Sequence, residues 1–207
     1  MGRKLTYIKS TGTQYIDTGI YPTANTKFVL DMAYNDVSGT RYSGLNISNS
    51  WFMFGENTYH EAYLGNKVVV FSTAASTERT TIVLDAQNKT ATIGDETNSV
   101  AYTTFATPSV TLPLFAYRDA STWNGFASFK LYSCQIYDND VLVRDFVPWE
   151  NDDGEIGLYD KVNSVFYGDA AGGAFESGEY DVAMVSHTFK GLENNLTYYF
   201  SLYANAI

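Results

Sequence analysis

The sequence predicts an all-β fold, an antiparallel sandwich or barrel, on three observations. Thr, Val, Ile, Tyr and Phe supply 76 of the 207 residues, and these β-branched and aromatic types suit a pleated, half-buried surface. Short apolar or alternating runs recur every 10 to 15 residues, bounded by Gly, Asn, Asp and Ser. No helical period of useful length falls between them, which excludes βαβ units.

Taken in order, residues 27–34 alternate strictly, with Phe28, Leu30, Met32 and Tyr34 on one face and Lys27, Val29, Asp31 and Ala33 on the other, as in a half-buried strand. Residues 51–54 and 68–71 are short apolar runs of the kind found in strands covered on both faces. Residues 80–85 and 90–94 form a hairpin through Ala86 to Lys89, with Asn88 suited to a left-handed turn position. Residues 112–117, 126–137 and 141–147 continue the series, and Asp138, Asn139 and Asp140 make a tight polar turn between the last two. After Pro148 the turn at 151–154 leads to closing hairpin strands at 156–159 and 165–167. The Gly- and Ala-rich stretch 168–178 marks a boundary, so that residues 1–178 form the sandwich and 179–207 a separate extension.

Charge narrows the partners. The formal net charge is −10, and it is concentrated: residues 138–181 hold twelve acids against Arg144 and Lys161, while residues 1–137 hold ten of each sign. A nucleic-acid or anionic-membrane partner needs a basic footprint, which this chain lacks. The single cysteine, Cys134, rules out an internal disulfide and reads as core filling. No stretch reaches the ~20 apolar residues of a membrane-spanning helix, so no membrane insertion is expected. The N-terminus has no apolar export region, and the expected location is a virion assembled in a host cytoplasm, or a bacterial cell surface if the chain is a fragment.

The run LTYIKSTGTQYIDTGI from Leu5, together with FKLYSCQIYDNDVLVRDFVPWENDDGEIGLYDKVNSVFY from Phe129, resembles the opening strand and the C-terminal signature of concanavalin A-like lectin/glucanase (laminin G-like) domains. Such domains occur in gut-bacterial surface proteins and in phage tail proteins. The resemblance covers roughly residues 5 to 178 and implies a two-sheet jelly-roll sandwich that binds a cell-surface glycan or host receptor. The sequence departs from the pattern at Trp149, where a small residue or cysteine is expected, which suggests an exposed ring. The tail HTFKGLENNLTYYFSLYANA resembles strands E and F of a fibronectin type III domain and is too short to build one. It is either a truncated remnant or a segment that docks on the sandwich or on a neighbouring subunit, in a virion assembly or a homo-oligomer.

A glycosidase on such a sheet needs two carboxylates about 5 to 9.5 Å apart in a cleft. The central strands offer single acids, Asp31 and Asp85, while the close pairs Asp152–Asp153 and Asp95–Glu96 fall in turns; His60 and His187 sit in no nucleophile motif. The expectation is a non-catalytic binding module without an obligatory cofactor, with a purely structural virion assembly or decoration protein as the alternative and a glycoside hydrolase as the least favoured reading. Calcium is the one ion the residues suggest, through Asp138, Asp140, Asp152, Asp153 and Glu155 on loops, although plain turn chemistry explains those acids as well. Sugar binding needs aromatic rings and planar polar groups. The best cluster is a polar loop carrying Tyr117, Arg118, Asp119, Trp123 and Asn124, with Trp123 equally readable as a ligand contact or as loop packing. Trp149, and a second loop with Tyr59, His60 and Glu61, follow; Trp51 lies in an apolar run and reads as core.

Overall fold

The computed structural model describes residues 2–38 and 41–181, and among them all regular structure is strand. The chain runs through β1 (Arg3–Lys4), β2 (Ile8–Lys9), β3 (Ile16–Asp17), β4 (Thr26–Tyr34), β5 (Arg41–Leu45), β6 (Trp51–Glu56), β7 (Tyr59–Gly65), β8 (Lys67–Ala74), β9 (Thr80–Asp85) and β10 (Thr90–Ile93). It continues through β11 (Glu96–Ser99), β12 (Pro113–Leu114), β13 (Ala116–Arg118), β14 (Trp123–Phe126), β15 (Phe129–Asp138), β16 (Val141–Glu150), β17 (Ile156–Asp160), β18 (Val165–Tyr167) and β19 (Glu176–Ser177).

Two sheets hold most of these strands. The larger has the order β11-β10-β9-β4-β15-β16-β17-β18, with β1 added to β16, β2 to β15 and β19 to β2. The smaller has the order β14-β13-β5-β6-β7-β8, antiparallel except where β13 runs parallel to β5. A third pairing joins β12 to β3.

The core lies between the two sheets because each contributes one apolar face. Phe28, Leu30 and Met32 of β4 and Phe129, Leu131, Cys134 and Ile136 of β15 meet Phe52 and Phe54 of β6 and Ala62 and Leu64 of β7. Phe28 packs edge-on to Phe52 at 6.3 Å and stacked on Phe54 at 6.1 Å, so aromatic contacts bridge the sheets directly. The alternation expected for residues 27–34 is present in β4 as far as Met32, after which Ala33 is buried as well as Tyr34, and Cys134 is fully buried and unpaired.

Several expected strands break where the chain changes sheet. Residues 112–117 split at Phe115, whose backbone is left-handed (φ 66°) while its buried ring stacks 4.4 Å from Phe129. Residues 126–137 split at Ala127 and Ser128, which carry the chain from the edge strand β14 to the central strand β15. In the turn after β9 it is Lys89 (φ 53°), not Asn88, that takes the left-handed position; Asn88 instead donates its backbone and side-chain N–H groups to Asp85. Asn139 and Asp140 both have positive φ, the two-residue geometry that suits a tight hairpin, and join β15 to β16 as expected. Pro148 does not end its strand, which continues to Glu150. The 168–178 stretch is tied down: Asp169 accepts hydrogen bonds from the N–H groups of Tyr15, Ala171 and Gly173, and Phe175 is buried in the core. Residues 182–207, which include His187 and most of the C-terminal extension, lie outside the described residues.

Candidate functional site

Among the described residues, the larger sheet packs on one face of the smaller sheet and no second sheet packs on the other. Its inward positions are Arg41, Ser43 and Leu45 on β5, Phe52, Phe54 and Glu56 on β6, and His60, Ala62 and Leu64 on β7. Side chains alternate along a strand, so the register places Tyr42 and Gly44, Trp51, Met53 and Gly55, Tyr59, Glu61 and Tyr63, Val68 and Val70, and Tyr117 together on the opposite face. The expectation that Trp51 is core is therefore corrected. Trp51 is half-buried and outward, because the apolar run 51–54 serves two faces of which only one meets the other sheet. For the same reason residues 68–71 are not covered on both faces: β8 is an edge strand with Val68 47% and Val70 55% exposed, and only Phe71 is buried.

On this outer face four half-buried rings form a connected row. Trp51 lies 5.6 Å from Tyr63, Tyr63 lies 5.8 Å from Tyr42, and Tyr42 lies 5.6 Å from Tyr117, each pair edge to face. Two glycines make room for the row. Tyr42 crosses the backbone of its cross-strand partner Gly55, where an added Cβ would come within 1.9 Å of the ring, and Tyr117 crosses Gly125, where a Cβ would come within 2.7 Å. At the centre stands Glu61. Its Oε2 accepts hydrogen bonds from the Tyr42 and Tyr63 hydroxyls, both at 2.7 Å. Partial burial, followed by these bonds to a carboxylate, holds both phenols protonated by raising their pKa. Glu61 is the one charged side chain among the outward positions named above.

The loop expected to carry recognition divides in two. Tyr117 joins the ring row, whereas Trp123 opens the edge strand β14, not a loop, and is packed by Tyr15 at 4.0 Å and by the Arg118 guanidinium at 4.6 Å. Asp119 caps its own turn, accepting from the N–H groups of Ser121 and Thr122, and these bonds lower its pKa; the Asn124 amide reaches its other oxygen at 3.4 Å. The loop expected around Tyr59, His60 and Glu61 is strand β7, which puts the three on alternate faces. Tyr59 is exposed, but His60 is only 3% exposed and faces inward beside Tyr34 at 5.8 Å, its pKa lowered by burial. Trp149 stacks on Tyr159 at 5.1 Å in the larger sheet, with Gly2 against its indole, and belongs to a different surface.

The acids suggested for calcium separate as well. Asp138 and Asp140 flank the turn at the start of β16, while Asp152 and Asp153 lie in the turn after its end, about 30 Å away along a ten-residue strand. No group of three or more His, Cys, Asp or Glu suited to an ion occurs among the described residues.

A polar cleft of about 610 Å³ lies where the edge strands β8 and β11 meet, lined by Ser72, Thr73, Arg79, Asp95 and Glu96 among others. Two of its charged groups, Glu96 and Arg79, serve the fold. The Glu96 carboxylate accepts from the backbone N–H groups and hydroxyls of Ser72 and Thr73, joining the edges of the two sheets, and Arg79 holds Asp31 and the face of Tyr132. The ring row differs in having a carboxylate whose only hydrogen bonds among the described residues come from two side chains that themselves line a surface.

Tyr42 and Tyr63 are the site residues that reading the sequence missed, and Glu61 was grouped with the wrong neighbours. The i, i+2 spacing of Tyr59, Glu61 and Tyr63, beside Trp51 and Met53, is the signal that could have found them. No family model matches the chain, and neither a curated protein nor a solved structure matches it.

Proposed function

We propose that this chain is a non-catalytic carbohydrate- or receptor-binding module, a concanavalin A-like jelly roll borne on a virion or a cell-surface protein, and that it binds through the outer face of its smaller sheet. The observation that carries the reading is the row of Trp51, Tyr63, Tyr42 and Tyr117 around Glu61. Sugar recognition combines aromatic surface for the apolar faces of pyranose rings with fixed polar groups for hydroxyls, and this face offers both on a rigid sheet. A double-displacement or inverting hydrolase would need two carboxylates across one cleft; here a single acid serves the face, which favours binding over bond cleavage. The resemblance of residues 5–20 and 129–167 to lectin-like domains supports the same class.

The test is glycan-array and host-cell binding by wild type, Tyr63→Ala and Trp123→Ala proteins. Loss of at least tenfold in affinity with Tyr63→Ala, and retention with Trp123→Ala, is expected; equal binding by wild type and Tyr63→Ala refutes this location of the site. A purely structural assembly role draws support from the exposed edge strand β8 with Val68 and Val70, a shape that invites strand pairing. The same array separates the two, since a structural part gives no glycan signal.

A further inference from the structure

Resting on the reading of the ring row as a glycan site, we infer that Glu61 makes it selective by charge: it takes neutral or amino-bearing sugars and excludes acidic ones such as uronates, sialates and sulfated glycans. The argument starts from what the outward positions carry. Tyr42, Trp51, Met53, Tyr59, Tyr63, Val68, Val70 and Tyr117 are uncharged, Gly44, Gly55 and Gly125 have no side chain, and Glu61 is the one ionisable acid. The described cations beside the face are engaged elsewhere or turned from it: Lys67 alternates with the outward Val68 and so lies on the inward side of the edge strand β8. Arg41 points inward to Glu56, and Arg118 lies over Trp123 while donating to the Asp119 carbonyl. An anionic sugar placed on the rings would therefore meet a carboxylate with no compensating cation on this face among the described residues, in a site where partial burial weakens solvent screening.

The hydrogen bonds point the same way. Both tyrosine hydroxyls spend their protons on Glu61 Oε2, so the polar centre of the row presents acceptors and no unused donor: the carboxylate's Oε1 and the lone pairs of two phenol oxygens. A sugar carboxylate or sulfate is acceptor-only and finds no donor at that centre; the Trp51 indole N–H and the Tyr117 hydroxyl stand at the two ends of the row. A hydroxyl donates and an ammonium donates with charge, so both are matched. Rings that are perpendicular to one another around a carboxylate also suit a cation, which is drawn to aromatic faces.

The experiment uses the whole chain on an array printed with neutral, amino-bearing and acidic oligosaccharides, followed by calorimetric titration of the strongest neutral hit and its uronate counterpart against wild type and Glu61→Gln. Glutamine keeps an oxygen for the two tyrosine donors and removes the charge. The expected result is wild-type signal confined to neutral and amino-bearing glycans, a preference of at least about tenfold over the uronate counterpart (~1.4 kcal/mol), and a fall of that preference to within threefold in Glu61→Gln. Wild-type binding of the uronate should also strengthen as ionic strength is raised, a readout that needs no variant. Equal wild-type affinity for neutral and acidic partners, or an unchanged preference in Glu61→Gln, overturns the charge filter while leaving the glycan site intact. Wild-type silence across every class of glycan overturns the site and the filter together.

Discussion

Replacing Glu61 by Ala removes the acceptor shared by Tyr42 and Tyr63, and the cost follows from the geometry. A hydrogen bond to a charged group contributes about 1.5–3 kcal/mol when well shielded; these two, at 2.7 Å but half-buried, are worth roughly 1 kcal/mol each. Glu61→Ala should therefore destabilise the fold by about 2 kcal/mol, and Tyr63→Phe alone by about 1 kcal/mol. With a urea dependence of roughly 2–3 kcal/mol/M for a chain of this size, the unfolding midpoint of Glu61→Ala should fall by about 0.7–1 M. The decisive measurement is the double-mutant cycle. Once Glu61 is gone the Tyr63 hydroxyl has lost its acceptor, so Tyr63→Phe should cost close to nothing in the Glu61→Ala background. If it costs the same in both backgrounds, the hydroxyls do not depend on Glu61 and the carboxylate-centred site is wrong.

Two further outcomes are expected. Gly55→Ala would put a methyl group 1.9 Å from the Tyr42 ring and 2.5 Å from the Arg41 carbonyl; the ring can swing away but the backbone cannot, so a loss of about 1–3 kcal/mol should appear as a clear drop in Tm, accompanied by weaker glycan binding. Glu96 is held ionised to about pH 2 by the Ser72 and Thr73 donors, against 4.5 as its ordinary value. A carboxylate with a lowered folded pKa stabilises above its unfolded pKa and loses that contribution as pH falls between those two values. Glu96→Gln should thus flatten the acid side of the stability–pH curve between about pH 5 and pH 2, and a curve as steep as that of wild type would refute the cross-sheet role.

The fold class was legible because it depends on local pattern. Strict alternation at 27–34, and Asn139–Asp140 between two β-rich runs, specify a strand and a tight hairpin wherever they occur. What could not be read locally is which sheet a strand joins. The breaks at Phe115 and at Ala127–Ser128 have no turn signature, because the chain crosses between sheets there while its side chains remain in the core. The site suffered from the same gap. Trp51 looks like core until one knows that β6 belongs to a sheet whose outer face does not meet the other sheet, and Tyr42 comes near Tyr63 and Tyr117 only through the pairing of four strands drawn from two parts of the chain. The 117–124 cluster was attractive because its residues are adjacent in sequence, yet adjacency placed Tyr117 on the face and left Trp123 packed at the sheet edge.

The residues that build the face also fix its register. A one-residue slip of β7 against β6 would turn Glu61 and Tyr63 into the core and Leu64 out to solvent, and is excluded by burial alone. A two-residue slip keeps each side chain on its own face and needs a different restraint. At the β5–β6 pair that restraint has two sides. Outside, Tyr42 fits only opposite a residue without a Cβ, and Gly55 is that residue; moved by two positions it would lie on Met53 instead. Inside, Arg41 must meet Glu56, which is fully buried and whose pKa burial raises against the opposing pull of the guanidinium. A buried carboxylate left without its arginine is costly, so both faces penalise the same displacement. Adjacent residue pairs, 41 with 56 inward and 42 with 55 outward, thus lock one alignment, and the alignment they lock is the one that brings Tyr42 to Glu61. The precision of the ring row is a by-product of strand registration, which explains how a surface site can be held in place by a β5 of only five residues.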